Sequence, residues 1–227
     1  VNPVTSGPAR RLDAHDVPAR PAAVRSRLWL DFVNTDVNTQ HPRGDLLRGF
    51  ESLLAWLAER GAIDEERAAG IARRTTLQPA AAAASLVDAR RVRAALRALA
   101  ERGASSQRIQ DDAVVEINRV LGRSAGTRRI DRHANGTLVR AFVPTGDAFA
   151  GLMIPIVESA ADSLVAEELS RVRRCADPTC QRVFFDATRN GLRRWCDMGI
   201  CGNRAKAARH RAKSRLHPLR EREYLDR

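Results

Sequence analysis

All four cysteines of this 227-residue chain fall in one stretch, Cys175 to Cys201. They form two pairs of equal spacing, Cys175-Ala-Asp-Pro-Thr-Cys180 and Cys196-Asp-Met-Gly-Ile-Cys201, with fifteen residues between them. Two short cysteine loops joined by a longer excursion suit a tetrahedral dication, because each loop can present two thiolates from one side. Four thiolates leave no coordination position for water or substrate. The spacing therefore points to one structural zinc ion bound by Cys175, Cys180, Cys196 and Cys201, and away from a catalytic metal. Two disulfides could use the same residues, but they require an oxidising compartment. The segment Val1 to Arg25 is broken by Pro3, Pro8, Pro18 and Pro21 and has no apolar h-region, so it does not read as an export signal.

The residues around and after the cysteines carry the charge. From Arg171 to Arg227 there are 16 Lys and Arg against 6 Asp and Glu, a surplus of ten out of a net +12. Such asymmetry is the electrostatic footprint of a nucleic-acid contact region. In the expected helix from Asn203 to Leu216, Ala205, Ala208, Ala212 and Leu216 make a narrow stripe, assigned to packing on the zinc core. Arg204, Lys206, Arg209, His210, Arg211, Lys213 and Arg215 lie beside or opposite it and, with Arg193 and Arg194, are the candidate nucleic-acid contacts. Between the cysteine pairs, Arg182 to Phe185 and Leu192 to Trp195 are β-prone runs, and Asn190-Gly191 marks the turn region. Knuckle, hairpin and helix in that order predict a treble-clef-like zinc module.

Cys201-Gly202-Asn203-Arg204, with Arg194-Trp195-Cys196 and Phe185-Asp186 before it, resembles the CGNR zinc-finger family. That family commonly carries an N-terminal ABATE domain, described as a stress-induced transcription regulator. The ABATE signature is matched by Leu28-Trp29-Leu30-Asp31-Phe32-Val33-Asn34-Thr35, so the resemblance extends from about Leu28 to Lys213. It implies DNA contact by the finger and a sensing role for the preceding domain. Asp31, Asn34 and Thr35 are then candidate ligand-binding residues. The alternative is that these polar groups cap neighbouring backbone.

The rest of the chain must position these groups, and its apolar periodicity is mostly helical. Helices are expected over Leu28 to Thr35, Leu46 to Arg60, Asp64 to Arg74, Ala80 to Arg102 and Ser106 to Leu121. Arg128 to His133 and Thr137 to Val143 flank Asn135-Gly136 as a hairpin. A long helix from Gly146 past Leu169, extending toward Arg174, is expected to deliver the chain to Cys175 directly. The fold class is mainly α with a small β-hairpin, plus a C-terminal zinc-binding module. The organisation read from this is an arm over 1–23, a helical ABATE-like domain over 24–170, a finger over 171–217 and a tail over 218–227.

No zinc-protease, P-loop or dinucleotide-binding motif occurs, and no nucleophile with its base emerges from the spacing, so an enzyme is not expected. The leading reading is a cytoplasmic transcriptional regulator that binds double-stranded DNA and senses a small-molecule effector, with no membrane partner. The alternatives are a protein-interaction module whose basic helix docks on an acidic partner, and RNA binding by the same face.

Overall fold

The computed structural model describes residues 27–36, 44–132, 138–212 and 214. The expected arm, residues 37–43, the Asn135-Gly136 turn and the tail lie outside those residues.

The stretch from Leu28 is helical: α1 (Leu28–Val33) runs into a 3-10 turn, Asn34–Asp36. Five of the six α1 residues are buried. A helix apolar on nearly all sides belongs inside a core, and the helices over Pro79–Arg102 and Ile154–Val165 pack against this one. Trp29 is fully enclosed, and its indole Nε1 donates to Ser163 Oγ at 3.1 Å.

α2 (Phe50–Glu59) starts later than its apolar spacing suggests. Asp45 Oδ1 accepts the Leu47 N–H at 2.8 Å, and Ser52 Oγ accepts the Gly49 N–H at 3.1 Å, which fixes the start at Phe50. Leu47, Phe50, Leu53, Leu54 and Leu57 are all buried. α3 (Glu65–Leu77) is capped by Asp64, α4 (Pro79–Arg102) opens on proline, and α5 (Gln107–Arg123) is capped by Ser106. These are residue types that satisfy or dispense with the free N–H groups of a first turn. α4 buries Val92, Leu96 and Leu99, and α5 buries Ala113, Ile117 and Val120. β1 (Gly126–Arg132) and β2 (Leu138–Pro144) pair antiparallel, with Arg128 opposite Phe142.

Beyond this hairpin two expectations fail. α6 (Ile154–Val165) stops well short of the cysteines. Glu167 turns left-handed at φ 55°, a 3-10 turn follows over Glu168–Arg171, and the chain enters Cys175 from a strand, β3 (Val172–Arg174). β4 (Val183–Phe185) then pairs with β3, Val172 facing Phe185, and not with the run before Cys196. The reason is Asp186, whose side chain is wholly buried and accepts the N–H groups of Thr188 at 2.9 Å and Arg193 at 2.8 Å. Those bonds close 186–193 into a loop and occupy a backbone group that a partner strand would need. Gly191, at φ 62°, makes its turn.

The β3–β4 hairpin belongs to two cores at once. Val183 is buried in the helical core, with Val172 and Phe185 packed against it. The thiols of Cys175, Cys180 and Cys201 cluster separately, against Phe184, Trp195 and Cys196.

Candidate metal centre and nucleic-acid interface

The loop from Cys175 to Cys180 is closed at its base by the Cys175 N–H, which donates to the Arg182 carbonyl at 2.8 Å. Inside it, the Asp177 carboxylate accepts the Thr179 N–H at 3.0 Å and hydroxyl at 2.8 Å, while the Cys180 N–H donates to the Asp177 carbonyl. Gln181 leaves the loop left-handed, at φ 53°. In the second loop Asp197 does the equivalent work. Its Oδ1 accepts the Ile200 N–H at 2.8 Å, and its carbonyl accepts the N–H groups of Cys201 and Gly202. A single π turn, Met198–Gly202, leads into a helix over 203–212, α7.

These loops bring the four sulfur atoms within 4.8 Å of one another. Cys180 and Cys196 Sγ are 3.5 Å apart, and Cys196 and Cys201 Sγ 3.7 Å. Four sulfurs at about 2.3 Å from a tetrahedral zinc are separated by about 3.8 Å, so the cluster is compatible with one structural zinc ion. Burial and then the Cys180 thiol push Cys196 up to about 12, and burial raises Cys201 as well. For Cys175 burial also acts upward, but the backbone N–H groups of Cys196 and Asp177 outweigh it and lower the thiol. Four crowded thiolates require a cation among them, and a bound dication would neutralise them and cross-link the two loops.

Several expected contact residues are part of the frame. Arg204 Nη1 donates to Asp177 Oδ2 at 2.8 Å and to Thr179 Oγ1 at 2.7 Å, fastening α7 to the opposite cysteine loop. The Asp177 carboxylate is held low: burial raises it, and the Thr179 donors and Arg204 outweigh burial. Arg193 donates from Nε to the Trp195 carbonyl at 2.8 Å and from Nη2 to that of Cys196, and its guanidinium lies 5.0 Å from the Phe184 ring. Arg194 is exposed beside the Trp195 ring. Lys206, Arg209, His210 and Arg211 are exposed along α7, whereas Lys213 and Arg215 lie outside the described residues. The alanine stripe does not pack as expected. Ala205 is half-buried, but Ala208 and Ala212 are exposed, because only the first turn of α7 touches the module.

The three candidate ligand-binding residues separate. Asp31 is half-exposed and pairs with Arg60 at 3.7 Å. Thr35 is buried, donating to the Phe32 carbonyl at 2.7 Å and accepting from Arg93 Nη1 at 2.9 Å. Asn34 bonds Val183 of β4, donating to its carbonyl and accepting its N–H. Spacing gave no signal for two further residues at this joint. Arg97, on α4, pairs with Asp36 and donates to the carbonyls of Val33 and Gln181, the latter at 3.0 Å. Arg27 pairs with Glu168 and lies 3.1 Å from the centre of the Phe185 ring. Both bind the body to the finger, Arg97 through the Gln181 carbonyl and Arg27 through the Phe185 ring, groups far away in sequence.

No helix among the described residues is long and apolar enough to cross a membrane. Residues 26–167 match the family model ABATE, described as "Putative stress-induced transcription regulator", and residues 171–214 match the CGNR zinc finger. These are regulator and zinc-finger types, not enzyme families. No curated protein matches the chain.

Proposed function

We propose, because this chain belongs to the ABATE family and carries a CGNR zinc finger, that it is a DNA-binding transcriptional regulator. Cys175, Cys180, Cys196 and Cys201 hold the zinc, the zinc holds α7, and α7 meets double-stranded DNA. The helical body responds to a small-molecule effector. On this reading the chain works in a reducing cytoplasm, where thiols stay available to the metal.

The observation that carries the proposal is the state of α7. Lys206, Arg209 and Arg211 are exposed and form no ion pair among the described residues, while Arg204 at its base is fixed to Asp177. Past Ala205 the described helix is exposed on every side. A helix about 10–12 Å across fits a major groove about 12 Å wide, and unpaired cations can neutralise phosphates on either side.

The test is duplex binding by the zinc-loaded chain across a salt series, with RNA and an acidic protein as competitors. About four neutralised phosphates give a slope of log affinity on log salt near −4, at roughly −0.9 each. Lys206→Glu with Arg209→Glu should abolish binding and leave the zinc content unchanged. No detectable duplex binding at low salt would reject the proposal and favour an acidic protein partner. Displacement by RNA alone would move the same face to RNA.

A further inference from the structure

We propose that the groove between α3 and the β1–β2 hairpin binds an organic carboxylate with an apolar body. This rests on the reading of the helical body as the effector-responsive part, and gives that effector a place and a chemistry. The groove is a cavity of about 700 Å³. Its lining includes Ile71 and Phe142, both buried, with Leu77 and Val143 exposed. Arg67, Arg73, Arg74 and Arg129 supply its positive groups, and Asp64, Glu66 and Asp147 its negative ones, so a surplus of one positive charge remains in the lining.

Arg67 is the anchor. Its Nη1 and Nη2 donate to the carbonyls of Phe142 at 3.3 Å and Ala150 at 2.9 Å, while its buried Nε has no partner. Among the described residues it forms no ion pair. Asp64 attracts it, but Asp64 Oδ1 is occupied by the Arg67 backbone N–H. Burial accordingly pulls this guanidinium below its usual range. Arg67 is half-buried, a charge drawn partly out of water favours a partner, and the planar fork of an arginine fits a carboxylate. Nε is enclosed, but each of Nη1 and Nη2 gives only one N–H to a carbonyl, so Arg67, which lines the groove, has a second N–H on each for an anion there.

Gly70 is the second observation. It lies inside α3, where glycine weakens a helix, yet packing does not demand it. A Cβ built there meets only the Arg73 guanidinium, at 3.9 Å. Its effect is to leave bare backbone on the groove wall, where a ligand can lie close. A carboxylate near Arg67 would then place its apolar body along Ile71 and Phe142. An inorganic anion would leave that apolar surface wet, and a neutral ligand would leave Arg67 uncompensated.

The experiment uses the full zinc-loaded chain without DNA, titrated by calorimetry with decanoate and with decanol as its uncharged match. Decanoate should bind with a Kd below about 1 mM, and decanol at least about tenfold more weakly. Gly70→Leu places a good helix former in the groove. It should abolish decanoate binding while the Tm holds or rises. Arg67→Gln should weaken decanoate about tenfold and leave decanol unchanged. Equal affinity for both probes, unaltered binding in Gly70→Leu, or no binding at millimolar decanoate would each overturn the proposal. DNA affinity is then measured separately with decanoate present. Binding in the groove with no change in DNA affinity would support the site and overturn the sensing role.

Discussion

Asn34 and Val183, 149 residues apart, exchange two hydrogen bonds. Asn34 Nδ2 donates to the Val183 carbonyl at 2.8 Å, and the Val183 N–H donates to Asn34 Oδ1 at 2.9 Å. In the β3–β4 pairing the backbone groups of Val183 point away from β3, as the flanking Cys175 and Asp186 N–H bonds require. A side-chain amide offers the same donor and acceptor as a peptide. Asn34 thus stands at the outer edge of β4 in place of a third strand. Asn34→Ala would leave both Val183 groups buried and unpaired, at about 1–3 kcal/mol each. Denaturant unfolding should show a loss of at least about 2 kcal/mol. A loss below about 0.5 kcal/mol would mean that water replaces the amide.

Arg204 should behave as a part of the metal site. Reduced protein should contain close to one zinc per chain, and Cys196→Ser should lose it. Arg204→Gln removes the tie between α7 and Asp177, so zinc should pass to a chelator several-fold faster at unchanged stoichiometry. Lys206→Gln, two residues further along α7 at a side chain with no ion pair among the described residues, should leave the transfer rate unchanged. Stopped-flow transfer to a coloured chelator distinguishes the two.

Gln181 occupies left-handed backbone, φ 53°, at the exit of the first cysteine loop. Left-handed geometry costs a residue with a Cβ about 1–2 kcal/mol. Glycine removes that strain but loses more entropy on folding. Gln181→Gly should therefore stabilise the fold by up to about 1 kcal/mol, read as a rise in unfolding midpoint. The Gln181 carbonyl bond to Arg97 survives, because it is main-chain.

Acid should weaken the helical body through two carboxylates. Burial raises Asp45, but the Arg93 guanidinium and the Leu47 N–H outweigh it and hold it low. Burial likewise raises Glu116, and Arg119 and Arg91 hold it low. With folded values below the unfolded ones, their stabilisation is present above an ordinary carboxylate pKa, about 4–4.5. It is lost as pH falls from there through the folded values. Glu116→Gln should be less stable than the parent at pH 7, and the gap should close progressively below about pH 4.5. A gap that stays constant with pH would remove Glu116 from this account.

The helices were legible because their signals are local. Asp64, Pro79 and Ser106 mark starts, and apolar residues at three- and four-residue steps mark buried faces. The four cysteines were legible for the same reason. The route into the finger was not. Val172-Arg173-Arg174 is too short to announce a strand, and it becomes one only because β4 returns beside it. Nor could spacing show that the Arg204 acceptor is Asp177, 27 residues earlier, or that Asn34 reaches β4. Those partners meet only after folding, so the arginines near the cysteines read alike, although some brace the metal site and others face solvent.

The double membership of the β3–β4 hairpin bears on inheritance. The two family models meet between residues 167 and 171, just before β3. A recombination joint there would carry off Val172, Val183 and Phe185, and with them part of the apolar interior of the helical body. The remaining half would expose α1 where β4 had covered it, and Asn34 would face water without its strand. This finger is therefore no exchangeable cassette. A lineage that swapped it for another would have to supply a hairpin that fits the same seat.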